Sequence, residues 1–168
     1  MRKPGPSCER LRELMRLDAE TGKLYWTKQR RGSTSGNEVG CVGPHGYRVT
    51  SVDDVPYRAH RIVWALHTGA WPTADIDHIN GVKDDNRPCN LREATPSQNA
   101  ANKPLLPSNK SGFRGVSWNA RRRKWRVDVT TAPRKQQTLG YFDDLEFAGL
   151  VADESRRVTF GAFCPTRN

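Results

Sequence analysis

Asp77-His78-Ile79-Asn80-Gly81 is the stretch on which the reading of this chain turns, because two later asparagines stand at set distances from it. Asn90 lies 13 residues after Asp77, in Asn90-Leu91-Arg92, and Asn99 lies 9 further on, in Ser97-Gln98-Asn99. An acid beside a histidine, followed by two asparagines, can supply a metal ligand, a general base and an amide that orients the base. Those parts suffice to hydrolyse a phosphodiester with one divalent cation.

Within this set His78 is the candidate general base, since an unperturbed imidazole titrates at about 6.5, close to working pH. Asp77 offers a hard oxygen ligand suited to Mg²⁺ or Mn²⁺. Neighbouring side chains on an extended segment point in opposite directions. The pair therefore serves one site only if the strand bends or ends there, and Asn80-Gly81 supplies that break. Residues 96–103 read as a short helix on which the Asn99 carboxamide can stand opposite Asp77. Asn102, three residues on and near the same helix face, competes for that ligand role. His60 reads equally as a DNA contact, a support for the site or a structural histidine. Arg61, Arg87 and Arg92 flank the motif as candidate phosphate clamps; Arg92 is the best placed, with a plain salt bridge as its alternative.

The stretch from Arg58-Ala59-His60-Arg61 through Asn102 resembles the HNH endonucleases, especially the homing-type enzymes of phages and their introns. His-Arg, Asp-His-Ile-Asn-Gly, Asp-Asn-Arg, Asn-Leu-Arg and Gln-Asn fall in register over about 45 residues. The resemblance implies a β-hairpin and a helix gripping one cation, the ββα-metal arrangement, with Asp77 and Asn99 as ligands. It gives Asn90 the role of holding the loop and orienting His78. Bacteriocin-type relatives place a histidine on the helix; the all-oxygen set here favours Mg²⁺ or Mn²⁺ over zinc.

Upstream, Leu11, Leu14, Met15 and Leu17 predict an amphipathic helix over 8–18, and residues 23–27 a strand. Residues 29–40 read as a polar loop in which Arg30 and Arg31 are free to meet a phosphate backbone. Residues 46–52 and 55–58 flank Asp53-Asp54 as a hairpin, followed by a helix over 59–67 that ends at Gly69. This opening is expected to pack with the catalytic module, so one region spans 1–103 with its core at 58–102. Residues 104–110 read as a linker.

Beyond the linker the pattern changes to strands at 113–118, 124–130 and 138–142 and a helix over 144–160. Arg114-Gly115-Val116, Lys124-Trp125 and Leu139-Gly140-Tyr141-Phe142 fall in the order of the APETALA-type, ethylene-response-factor-like DNA-binding domain, which this part resembles over 111–163. That family lays a three-stranded antiparallel sheet in the major groove and packs one helix on its back. The implied fold class is α+β: a nuclease module, then a small sheet on a helix. Phe147, Leu150, Val151 and Val158 are expected to form the helix's apolar stripe. Arg114, Arg121, Arg122, Arg123 and Arg126, with Trp118 among them, are expected on the DNA side. Arg121–Lys124 reads equally as a charged turn that touches phosphates only.

Bulk properties agree. Twenty-eight Lys and Arg against 18 Asp and Glu give a net charge of +10, which calls for a polyanionic partner. The excess is densest at the end, where residues 105–168 carry 12 basic and 6 acidic side chains. Cys8, Cys41, Cys89 and Cys164 form no Cys-x-x-Cys pair, so no structural zinc is expected. Nothing reads as a signal peptide or a membrane span, and a phage-encoded protein in the host cytoplasm follows from the resemblance. No heptad or exposed apolar stripe is evident, so a monomer or weak dimer without a protein partner is expected. The leading expectation is a metal-dependent, homing-type DNA endonuclease with a targeting module. The rival is a DNA-binding protein that keeps the nuclease fold without cutting. An RNA-binding structural protein accounts for the charge but leaves Asp77, His78 and Asn99 without purpose.

Overall fold

A computed structural model describes residues 5–29, 35–132 and 135–164, which leaves Arg30 and Arg31 outside the described residues. The chain divides into two compact units, Met1–Thr95 and Pro96–Asn168.

The first unit opens with α1, Cys8–Leu14, whose first turn is capped by Ser7 accepting from the Arg10 amide at 3.1 Å. The expected helix over 8–18 stops early. Met15 is already extended, and β1 (Met15–Asp18) pairs antiparallel with β2 (Lys23–Trp26). The alternation Met15, Arg16, Leu17, Asp18 also fits a strand, and pairing Met15 with Trp26 and Leu17 with Leu24 puts the apolar set on one face. A second sheet holds β3 (Cys41–Val42), β4 (Arg48–Val52) and β5 (Val55–Arg58) in that order. The β4–β5 turn is Asp53-Asp54, with φ of 48° and 63°, the double left-handed turn that matches strand twist.

Next, α2 (Ala59–Thr68) buries Ala59, His60, Ile62, Val63 and Ala65 and ends at Gly69 with φ 81°. Then β6 (Asp75–His78) pairs antiparallel with β7 (Leu91–Ala94). Leu11, Met15, Leu24, Val52, Ile62, Val63, Ile76 and Leu91 belong to one core. The N-terminal elements and the strand bearing Asp77 and His78 therefore rest on the same apolar foundation.

The second unit begins with α3, Pro96–Asn102. Arg156 donates to the Ala101 carbonyl at 3.0 Å, which ties α3 to the C-terminal elements. Asn109, read as linker, is built into this unit, since its side chain accepts from Gly112 N at 2.8 Å and donates to Phe113 O at 3.0 Å. The strands β8 (Val116–Asn119), β9 (Lys124–Ala132) and β10 (Lys135–Phe142) form an antiparallel sheet in the order β10-β9-β8. The first strand starts at Val116 rather than 113, after a turn at Gly115 with φ 81°.

Helix α4, Leu145–Phe160, starts from Asp144, whose carboxylate accepts the Phe147 amide at 2.6 Å. Its inward face differs from the expected stripe. Ala148, Gly149 and Ala152 are buried, whereas Phe147, Leu150 and Val158 are 54%, 66% and 80% exposed. The cause is Phe113, whose ring occupies the space a Cβ on Gly149 would fill. Small residues let the helix sit close to the sheet; Val151 packs against this core as expected, whereas Phe147, Leu150 and Val158 are exposed. Those three make an exposed apolar stripe that the sequence reading did not find. Among the described residues no helix is long and apolar enough to cross a membrane.

Candidate active site

Strand β6 ends at His78, and the chain turns at once. Gly81 N donates to His78 O at 2.9 Å, with Gly81 at φ 74°. The expected break at Asn80-Gly81 is therefore present. The loop that follows is laced by amides. Asn90 accepts from Asn80 N at 3.0 Å and donates to Asn80 Oδ1 at 3.0 Å and Asp85 O at 2.7 Å. Asn80 in turn donates to Asp85 at 2.7 Å, and the Arg87 guanidinium beside Asp85 holds that carboxyl down to about 2.

Asp77 and His78 are both buried, at 5% exposure each. The amide that meets His78 is Asn86, whose Oδ1 lies 3.0 Å from Nε2, and Asn86 is itself only 2% exposed. In the tautomer with its proton on Nε2, the imidazole donates to this amide oxygen. Asn90 holds the loop, as the resemblance implied, but the orienting contact to His78 comes from Asn86. The sequence reading missed Asn86 because Asp84-Asp85-Asn86-Arg87 looks like ordinary turn material. Its Asp-Asn-Arg setting inside the motif was the available signal.

The loop is also braced from outside. A Cβ at Gly22, φ 71°, would overlap the backbone of Asn86 and Arg87. The β1–β2 turn therefore lies directly against the residue that orients His78.

His60 packs its ring edge-to-face on His78 at 5.1 Å and on Tyr47 at 5.5 Å. Arg58 lies over the Tyr47 ring at 4.5 Å and Lys83 at 5.1 Å, so this flank of the site is cationic. Burial above all, then the neighbouring His78, Arg58 and Arg61, pushes the His60 imidazole down to about 3. The folded chain thus refuses a proton that the unfolded chain takes up below about 6.5. Stability is full above that pH and is lost as pH falls toward 3, at up to ~1.4 kcal/mol per pH unit. Urea denaturation at pH 7 and pH 5 should show a smaller loss for His60→Gln than for the wild type. Equal losses would remove His60 as the cause.

Arg61 donates to the carbonyls of Ala74 at 3.3 Å and Pro72 at 3.2 Å, steadying the entry to β6. Arg92 stands across the ladder from Asp77. Its Nε donates to Asp77 Oδ2 at 2.9 Å, and its Nη2 forms an ion pair with the same oxygen at 2.8 Å. The plain salt bridge weighed for Arg92 is thus present. Asn99 and Asn102 are carried by α3 in the second unit, Asn99 half-buried and Asn102 buried.

In the second unit, Arg121, Arg122 and Arg123 occupy the exposed β8–β9 turn, with Arg123 at φ 55°. Arg122 stacks over Tyr141 at 4.2 Å, and Arg126 pairs with Asp128 at 2.8 Å. Ser117, Arg126 and Tyr141 are cross-strand partners and share the outer face. Trp118 does not join them. The register sets it opposite Trp125, on the face of Val116 and Val127 that packs toward α4, although it is 51% exposed. Arg114 donates to the carbonyls of Lys103 and Pro104, so part of its guanidinium anchors the connecting segment.

Comparison with protein families matches residues 57–101 to the family described as HNH endonuclease, a span that holds Asp77, His78, Asn86, Asn90 and Asn99. The chain is also 37% identical over 111 residues to Protein 3.8 of Escherichia phage T7, covering 66% of this chain and 90% of that protein. The chain carries an HNH endonuclease domain at residues 57–101. A second relative, named an uncharacterized HNH endonuclease, comes from Acanthamoeba polyphaga mimivirus and is 41% identical over 80 residues. The match spans 46% of this chain and 42% of the viral protein, so it covers only part of each. No solved structure matches the chain.

The donor chemistry suits the divalent ion that HNH nucleases use. Among the described residues no group of three His, Cys, Asp or Glu side chains gathers to hold a metal. The Asp77 carboxylate is a hard oxygen donor of the kind that divalent ions such as Mg²⁺ take.

Proposed function

We propose that this HNH protein is a metal-dependent, homing-type endonuclease that hydrolyses phosphodiester bonds in double-stranded DNA. The observation that carries the reading is the His78–Asn86 pair, a buried imidazole oriented by an amide oxygen at 3.0 Å beside the buried carboxylate of Asp77. In this reading His78 accepts a proton from water as the water oxygen attacks phosphorus and the bond to the leaving oxygen breaks. Asp77 would hold the cation, with Mg²⁺ or Mn²⁺ the fitting ions. When bound, it neutralises phosphate charge and stabilises the departing oxygen. Asn90 keeps the loop closed so that Asn86 stays in place.

Residues 111–163 act as the targeting module, an APETALA-type domain. Its support is the antiparallel three-stranded sheet with one helix on its back and the basic outer face around Arg122 and Arg126. A small nuclease gains affinity from such a tethered binder by raised local concentration. One observation favours the second reading, binding without cleavage: Arg92 already neutralises Asp77. A phosphodiester can draw that guanidinium away, since arginine binds phosphate as readily as carboxylate.

Supercoiled plasmid incubated with the full chain should be nicked or linearised with Mg²⁺ or Mn²⁺ and left intact with EDTA. Replacing Arg121, Arg122 and Arg123 together with glutamine should weaken duplex binding and flatten its salt dependence, with metal-dependent cutting retained at high protein concentration. Tight binding of a selected duplex with no cleavage under either metal would decide for the binding-only reading.

A further inference from the structure

The second unit contains a cavity of about 410 Å³, lined in part by Ser97, Arg114, Thr130, Gln136 and Arg156, which neither the cleavage reading nor the turn arginines use. Two guanidinium groups converge on it from different elements, Arg114 from the segment before β8 and Arg156 from α4. Arg156 is well covered, with an 11% exposed side chain; its nearest carboxylate, Asp153, is 3.9 Å away. Its Nη2 donates to Ala101 O at 3.0 Å. Arg114 meets main-chain carbonyls, those of Lys103 and Pro104. Burial and the like charge of Arg156 lower the Arg114 pKa, so the two cations face each other at a cost. One carboxylate, Asp128, also lines the cavity, but Arg126 pairs with it at 2.8 Å and Thr138 donates to it at 2.7 Å. The charge left over is positive.

A planar guanidinium offers five donors in a fork that fits a phosphate, and an anion between two of them relieves their repulsion. Carbonyl contacts through Nη2 leave other donors on each arginine to serve that anion. Ser97, Thr130 and Gln136 add hydroxyl and amide donors on the rim. The location suggests where the anion comes from. Of the β9 residues that line the cavity, Asp128 and Thr130 share the outer sheet face that carries Arg126, and Val129 lies on the face toward α4, from which Arg156 reaches it.

We propose that Arg114 and Arg156 form a phosphate site on the second unit that seats one backbone phosphate of bound DNA. Arg156 thereby gains a binding role, and the site adds to the turn arginines a contact that carries no base information. Only the source of the phosphate rests on the DNA-binding reading; the site itself does not.

The test uses the full chain, Arg156→Gln and Arg114→Gln. Binding of a labelled random-sequence duplex is followed by fluorescence anisotropy across a chloride series. Thermal unfolding is followed with inorganic phosphate against chloride at matched ionic strength. Each lost phosphate contact should lower the slope of log K against log salt by roughly 0.9. Phosphate should raise the wild-type midpoint more than that of either variant. If phosphate discriminates the variants but the duplex slope does not, the site takes free phosphate and the DNA source is overturned. If the duplex is not bound by any form, the DNA reading fails and the unfolding arm still decides the site. Slopes and midpoints that match the wild type in both variants overturn the proposal. Should Arg156→Gln fail to fold through loss of the Ala101 contact, Arg114→Gln carries the same comparison.

Discussion

His78→Ala should lower metal-dependent DNA cleavage by roughly 10²–10⁴-fold, the range a positioned general base contributes. Duplex affinity should change little, because His78 is 5% exposed and the substitution leaves Arg58, Lys83 and the turn arginines in place. Asn86→Leu should fall between the wild type and His78→Ala, since the imidazole remains while its tautomer and ring orientation are released. The ring ¹⁵N shifts of His78 give the independent readout. In the wild type they should report a neutral ring protonated at Nε2, and in Asn86→Leu a mixture of tautomers. Full cleavage by His78→Ala, measured as first-order loss of supercoiled plasmid, would rule out His78 as the base. An unmixed tautomer in Asn86→Leu would return Asn86 to the status of loop filler.

The other large effect is expected far from that site, at Gly149 in the middle of α4. Helix propensity alone argues for replacing it, since alanine is favoured over glycine by about 1 kcal/mol in a helix interior. Packing argues the other way. A Cβ there would overlap the Phe113 ring, and that ring is a fixed part of the core with Val116, Val127, Ala148 and Ala152. Relief requires the helix to lift from the sheet or Phe113 to leave, either of which exposes apolar surface. Overpacking of a filled core costs about 1–3 kcal/mol and at times more, so the steric term wins. Gly149→Ala should be less stable than the wild type by up to about 2 kcal/mol net. Gly149→Val should unfold the second unit and abolish most duplex binding. Urea titration followed by tryptophan fluorescence reads both, through Trp118 and Trp125. An alanine variant as stable as the parent would show that α4 does not sit this close.

Much of this was legible in the sequence where local chemistry decided the outcome. The Asp53-Asp54 hairpin, the α2 span and the break after His78 follow from turn residues and periodicity, and they appear as read. Legibility failed where a distant partner decided. Leu11, Leu14 and Met15 satisfy a helical period, but pairing with Leu24 and Trp26 takes Met15 and Leu17 into a strand. On α4 the larger apolar residues looked like the buried ones. The Phe113 ring, more than thirty residues upstream, hands that place to alanine and glycine. Trp118 and Arg126 were read as neighbours on one surface until the register put them on opposite faces. In the candidate site, Asp77, His78 and Asn90 carried their own signal in the spacing. Asn86 did not, because an asparagine between acids and an arginine reads as a turn until its burial is known.

The contact of Gly22 with the backbone of Asn86 and Arg87 sets the size of the smallest piece worth transplanting. The stretch that defines the family begins at 57. Moved alone into another scaffold, it would bring His78 and Asn86 without the buttress beneath their loop. A designer borrowing this site therefore has to carry over the hairpin of β1 and β2, which contains none of the candidate residues.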